Sequence, residues 1–226
     1  MSTEILDYLV SFLKKFFHQK RQRGINTKYY LTFFLTMTNL YARYGIYGAT
    51  FSRGYGEIKL NKSSITGKIN KAQLFISVVD AGALICNYNT IEPFSGRFSR
   101  RQVGKYIKHF TMVFHEYTDF MIVCFLGAQF NQEPLLNSAV NCFHQDWTRV
   151  VSELAKIYWK SEKLANQVAE NSLVYLLGQL YQAQASENKE GRIHEMCDTL
   201  RDYWTGRQCM LLGDKGSSFR ICCLPL

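Results

Sequence analysis

Ser99-Arg100-Arg101-Gln102-Val103-Gly104-Lys105-Tyr106-Ile107-Lys108-His109-Phe110 is the stretch on which the reading of this chain turns. It opens with S-x-x-Q, a capping box, in which the Ser hydroxyl and the Gln side chain each satisfy a backbone N–H that the first helical turn leaves without a partner. At 100° per residue, Arg100, Arg101, Lys105 and Lys108 fall within about 140° of arc. Val103, Tyr106, Ile107 and Phe110 fall on the other side, and no acid interrupts the run. The pattern predicts a helix that buries one face and presents a cationic stripe on the other. Lys or Arg meeting a phosphate releases condensed counterions, and Arg adds paired hydrogen bonds to phosphate oxygens. A solvated helix face would give the same stripe. The wider distribution of charge decides between them.

That distribution is lopsided. Between Tyr8 and Gly56 there is no Asp or Glu, but there are eight basic residues, Lys14, Lys15, Lys20, Arg21, Arg23, Lys28, Arg43 and Arg53. Residues 1–113 hold 17 Lys/Arg against 5 Asp/Glu, whereas residues 114–226 hold 10 against 13, so the formal +9 of the chain belongs to its first half. Further basic positions are Lys59, Lys62, Lys68 and Lys71, with Arg97 just upstream of the capping box. Tyr29, Tyr30, Tyr55, Tyr88, Phe94 and Phe98 interleave with them. Cations that track a phosphate backbone, together with rings that stack on bases, are how unpaired nucleic acid is held. Each ring taken singly reads better as core.

The 226 residues are 47% hydrophobic and 15% aromatic, with three prolines, which excludes a disordered basic tail and allows a sizeable core. Helical spacing predicts an amphipathic helix over 4–20 and an aromatic-rich one over 27–45, with Tyr30, Phe33, Phe34, Met37, Leu40 and Tyr41 inward. Alternation over 55–61 predicts a short strand. Residues 72–88 read as strands or as a buried helix, which periodicity alone does not separate. From Ser99 onward helices are expected over 100–112, 113–127, 134–144, 147–160, 163–184 and 190–204. The fold expected is mainly α with a small β element, in two lobes with terminal arms: an N-terminal helix or arm (1–25), a basic N-lobe (26–112), a helical C-lobe (113–205) and a C-terminal arm (206–226).

Two apolar runs, Tyr29–Phe51 and His109–Phe130, carry polar or charged residues (Arg43; His115, Glu116 and Asp119) that would be costly at mid-bilayer depth, so no stable membrane insertion is expected. No secretory signal is read at Glu4 and Asp7, and the seven cysteines, odd in number and without C-x-x-C, read as free thiols. Cys223-Leu224-Pro225-Leu226 has the spacing of a prenylation box, with Pro where an aliphatic residue is wanted. It reads instead as part of an apolar arm, 219–226, that docks on something.

An enzyme reading has one foothold. His115-Glu116-Tyr117-Thr118-Asp119 and His194-Glu195-Met196-Cys197-Asp198 share His-Glu-x-x-Asp, which on a helix turns His and Asp to one side, and His144 and Asp146 could add a third piece. The zincin motif needs a second His where Asp stands here, and phosphate-loop, dinucleotide and nucleophile-elbow motifs are absent. No catalytic residue, metal ligand or cofactor is expected.

Three further blocks resemble a known family. Tyr30-Leu31-Thr32-Phe33-Phe34-Leu35, Tyr55-Gly56-Glu57-Ile58-Lys59-Leu60 and Arg101-x-x-Gly104-x-x-x-Lys108 resemble, in the same order and with the first two at similar spacing, blocks of orthobunyavirus-like nucleoproteins of segmented negative-strand RNA viruses. The blocks cover about a third of the chain. Residues 64–93 are extra relative to the family, the N-terminal arm is shorter, and no match extends beyond 120. The resemblance implies a two-lobed, mostly helical protein that holds single-stranded RNA in a positive groove, with terminal arms reaching neighbouring copies. It gives Arg101 and Lys108 an RNA-contact role, and Tyr55 and Gly56 a structural role near the groove. The other candidate contacts, Arg43, Arg53, Lys59, Lys62, Lys68, Lys71, Lys20, Arg21, Arg23, Arg97, Arg100 and Lys105, come from charge alone; Tyr55 is also a candidate ring. The expectation is thus a non-enzymatic, self-assembling nucleoprotein of virion and host cytoplasm, with RNA, its own copies and a viral polymerase as partners. The rivals are a matrix-like protein using the same cations on anionic lipid and a helical metal-dependent enzyme.

Overall fold

The computed structural model describes residues 27–59, 70–87, 99–127, 133–159 and 161–207. Among them are eight helices and no strand: α1 (Thr27–Gly48), α2 (Phe51–Ile58), α3 (Lys71–Asn87), α4 (Arg100–Glu116), α5 (Thr118–Leu126), α6 (Pro134–Ala155), α7 (Glu162–Gln184) and α8 (Lys189–Trp204). They form two compact units, one from Met1–Cys86 and Glu116–Phe143, the other from Asn87–His115 and His144–Leu226. Each unit therefore draws on two separate stretches of chain, and α6 contributes its first half to one and its second half to the other.

The first unit is organised by α5. Phe120 to Leu126 are all buried, and a helix apolar on every side belongs in an interior. Phe34 of α1 meets Phe120 at 5.9 Å between ring centroids, and at the start of α5 Asn39 Nδ2 donates to Asp119 Oδ2 at 2.6 Å. Helix α3 approaches through Gly82, where a Cβ would collide with Cys124 Sγ. Of the stretch 72–88, which reads as strands or a helix, residues 72–87 form one helix because Leu74, Phe75, Val78, Val79, Gly82, Ile85 and Cys86 return to the same buried side at 3–4-residue intervals. Among the described residues no helix is long and apolar enough to cross a membrane.

Where a strand is expected over 55–61, residues 55–58 are instead the end of helix α2; residues 60 and 61 lie outside the described residues. The alternation seen from Tyr55 onward is the tail of a helical pattern starting earlier: Phe51, Gly54, Tyr55 and Ile58 stand at i, i+3, i+4 and i+7, and Gly54 and Tyr55 are buried. Thr50 caps the helix by accepting from the Arg53 N–H at 3.3 Å, and Tyr55 stacks on Phe33 of α1 at 5.1 Å. Lys59, at φ 52°, closes the helix with its N–H on the Tyr55 carbonyl.

The second unit is built around aromatic rings. Trp204 of α8 stands edge-on to Phe110 of α4 at 4.9 Å, with Tyr106 at 6.0 Å and Trp147 at 6.1 Å. Its Nε1 donates to Ser172 Oγ of α7 at 2.8 Å, and that hydroxyl donates onward to the Val168 carbonyl at 2.6 Å. The two helices expected over 134–144 and 147–160 are one, α6, since Leu136, Val140, Phe143, Trp147, Val151 and Leu154 keep one buried stripe across the join. The helix expected over 113–127 is divided at Tyr117, between α4 and α5. The amphipathic helix expected over 4–20 and the arm at 219–226 lie outside the described residues.

Ser172→Ala is expected to strand the Trp204 N–H in the interior and lower unfolding free energy by about 1–3 kcal/mol. Trp204→Ala, which also empties the site, is expected to lower it by about 3–5 kcal/mol. Denaturant titration of both variants followed by far-ultraviolet circular dichroism measures the difference.

Candidate nucleic-acid interface

The capping box forms as its spacing predicts. The Ser99 N–H donates to Gln102 Oε1 at 2.6 Å, and the Gln102 N–H donates to Ser99 Oγ at 3.3 Å. From that start α4 turns Val103, Tyr106 and Phe110 fully inward. Arg100, Arg101, Lys105 and Lys108 are exposed. Gly104, inside the stripe, has open space where a Cβ would stand, so the backbone there is open to close approach.

The stripe differs from three other cations of the same unit in its partners. Arg149 pairs with Asp146 at 2.9 Å, Lys156 bridges Glu153 at 2.7 Å and Glu162 at 2.9 Å, and Arg201 pairs with Asp198 at 2.6 Å and Asp202 at 3.1 Å. Among the described residues, Arg101, Lys105 and Lys108 enter no ion pair. Arg100 rests over the Tyr158 ring at 5.8 Å. Charges kept in water without acids keep their full capacity for an incoming anion.

Of the other sequence candidates, Arg43, Arg53 and Lys59 are exposed in the first unit, and Lys71 is half-buried at the start of α3. Burial pulls the Lys71 ammonium below the usual lysine value, partly opposed by Glu133. Tyr55 departs from its candidate role as a contact. It is 3% exposed and stacked within the core, so its ring is not presented at the surface. Lys20, Arg21, Arg23, Lys62, Lys68 and Arg97 lie outside the described residues. Two rings that the helical stripe hid, Tyr44 and Tyr47, stand 51% and 58% exposed at the end of α1.

The two His-Glu-x-x-Asp segments part company. His115 and Asp119 do not share a helix face, because α4 ends at Glu116 and Asp119 belongs to α5, where it takes the Asn39 amide. His194 and Asp198 do share one, at 3.3 Å, and the His115 ring lies 5.7 Å from that of His194. Asp146 is committed to Arg149, and His144 stands at the edge of a polar cleft between α6 and α7. Among the described residues no three His, Cys, Asp or Glu side chains are placed to hold a metal ion.

A comparison with protein-family models finds no match to this chain, and neither does a search of curated proteins. The nucleoprotein resemblance accordingly rests on the three short blocks. Two of them, 30–35 and 55–60, contribute the stacked Phe33–Tyr55 pair that joins α1 to α2; the third is the exposed stripe of α4.

Ser99→Ala removes the cap of α4 and is expected to cost about 1 kcal/mol of stability, with Ser99→Asn restoring most of it. The shift in denaturation midpoint between the two variants is the measurement.

Proposed function

We propose that this chain binds single-stranded RNA without sequence preference and assembles with copies of itself along the strand, as a nucleoprotein. The observation that carries the reading is the exposed stripe Arg100, Arg101, Lys105 and Lys108, opposite an aromatic anchor and without acidic partners among the described residues. Stripe cations that met phosphates would release counterions and give affinity that falls with salt. Nothing in such a contact reads base edges, which suits a coat that must accept any sequence. Arg43, Arg53 and Lys59 would supply further phosphate contacts, and the apolar stretch 219–226 would dock on a neighbouring copy. The acidic second half is where a polymerase would engage. Virion and host cytoplasm are the compartments that follow from such a role.

The experiment is a salt titration of binding to a fluorescent oligouridylate. Arg101→Ala/Lys108→Ala is expected to weaken binding and flatten the plot of log affinity against log salt by about one to two units. An unchanged slope in a folded double variant removes the stripe from the interface. Anionic vesicles that bind the protein while the oligonucleotide does not would instead place its partner at a lipid surface.

A second test addresses assembly. Deleting residues 219–226 is expected to shift the RNA-free protein to a smaller species in size exclusion with light scattering. An unaltered mass rules the arm out as the assembly element.

A further inference from the structure

We infer that Tyr44, Tyr47 and the Arg53 guanidinium form a platform on which unpaired bases stack. The inference rests on the RNA-binding reading above and gives it a second mode of contact, aimed at the base rather than the phosphate.

The exposed rings of Tyr44 and Tyr47 flank a break in α1. The inward stripe of α1 runs through Phe33, Phe34, Met37, Leu40 and Tyr41, and by spacing Tyr44 should follow it inward. Gly45 breaks the register: its φ of 64° and ψ of 179° kink the helix, a conformation that glycine alone adopts without strain. Beyond the kink Ile46 and Ala49 take the buried positions, at 5% and 0% exposure, and Tyr47 faces solvent; Tyr44, the last residue before it, is exposed as well.

The Tyr44 ring is also held. A Cβ on Gly48 would come within 2.8 Å of Tyr44 Cβ, so the bare glycine is what lets that side chain lie against the backbone. Arg53 of α2 lies over the ring with Cζ 4.7 Å from the centroid, and its Nη1 donates to the Gly48 carbonyl at 3.3 Å. Ring and guanidinium are thus fixed before any ligand arrives, which reduces the ordering cost of binding. One guanidinium face is on the tyrosine; the group as a whole is exposed, leaving a planar cation that can stack on a base and donors that can take a phosphate.

The surrounding charge selects the occupant. From residue 43 to residue 59 the exposed charges are Arg43, Arg53 and Lys59 against Glu57 alone. Planar rings among cations match a polyanion that carries free planar rings of its own, which describes a single strand and not a duplex, whose bases are already stacked on one another.

The test compares binding of a short oligouridylate with that of an abasic strand of equal length and charge. Wild type is expected to prefer the intact strand by about tenfold. Tyr44→Ala/Tyr47→Ala is expected to bind the two strands equally, with the salt slope of wild type; Tyr44→Phe/Tyr47→Phe, which keeps the rings, is expected to restore the preference. Arg53→Lys, which keeps the charge without the plane, should lose part of the preference at constant slope and gives a reading should the double alanine variant not fold. A preference for the intact strand that survives in the folded ring-less variant overturns the platform and leaves RNA binding standing. Equal binding of both strands by wild type does the same. Absence of binding to either strand overturns the RNA reading itself, and the platform with it. Wild-type association with phosphatidylserine vesicles that depends on both tyrosines, without any strand preference, assigns the rings to a lipid surface and overturns the platform.

Discussion

The edge-on packing of Phe110 against Trp204, locked by the Trp204–Ser172 hydrogen bond, is the constraint on which the proposed interface depends. It fixes the rotation of α4 about its own axis. With Tyr106, Phe110 and Val103 committed inward, the cations about half a turn away have nowhere to go but water. The magnitudes favour this arrangement. Arg101 with Lys105 and Lys105 with Lys108 are like-charge neighbours on the helix and cost about 0.2–0.5 kcal/mol each. A single buried aromatic side chain returns about 1.5–3 kcal/mol, and each ring pair adds about 0.5–1.5 kcal/mol. The anchor therefore outweighs the repulsion several times over, and a stripe with no acids to relieve it is tolerated.

Much of this architecture was legible in the residues. The cap at Ser99, the two-faced helix behind it and the run of helices to Trp204 follow from local rules, and each helix existed where its apolar period was long enough to count. What escaped the sequence was decided by partners distant in the chain. Residues 55–61 alternate like a strand, but Tyr55 is claimed by Phe33, more than twenty positions earlier, and residues 55–58 are the end of a helix. The same pairing takes Tyr55 out of the list of rings that could meet a base. Tyr44 and Tyr47 escaped for the opposite reason. Their spacing says core, but the backbone reversal of sign at Gly45 ends that stripe right after Tyr44 and before Tyr47. The His115–Asp119 pair assumed an unbroken helix, which Tyr117 interrupts.

Charge shows a similar division between what composition reveals and what geometry adds. The excess of Lys and Arg in the first half was plain from counting. That Arg149, Lys156 and Arg201 are already engaged with carboxylates, and that the α4 cations are not, depends on which acids fall one helical turn away. Exposed ion pairs of this kind contribute little to stability. Their effect lies in removing some cations from the supply open to an external anion while leaving others in it.

The path of the chain through its two units has its own consequence for biosynthesis. The first unit cannot close until α5 has emerged, because residues 118–126 fill its centre, and the second cannot close until Trp204 has arrived to meet Phe110. A growing polypeptide released only as far as α4 would hold its apolar faces uncovered, and both units would be completed late and by contacts between segments far apart in order of synthesis, a topology that slows folding and lengthens exposure to aggregation. A protein so threaded gains from a chaperone, or from early capture by its ligand, during its own translation.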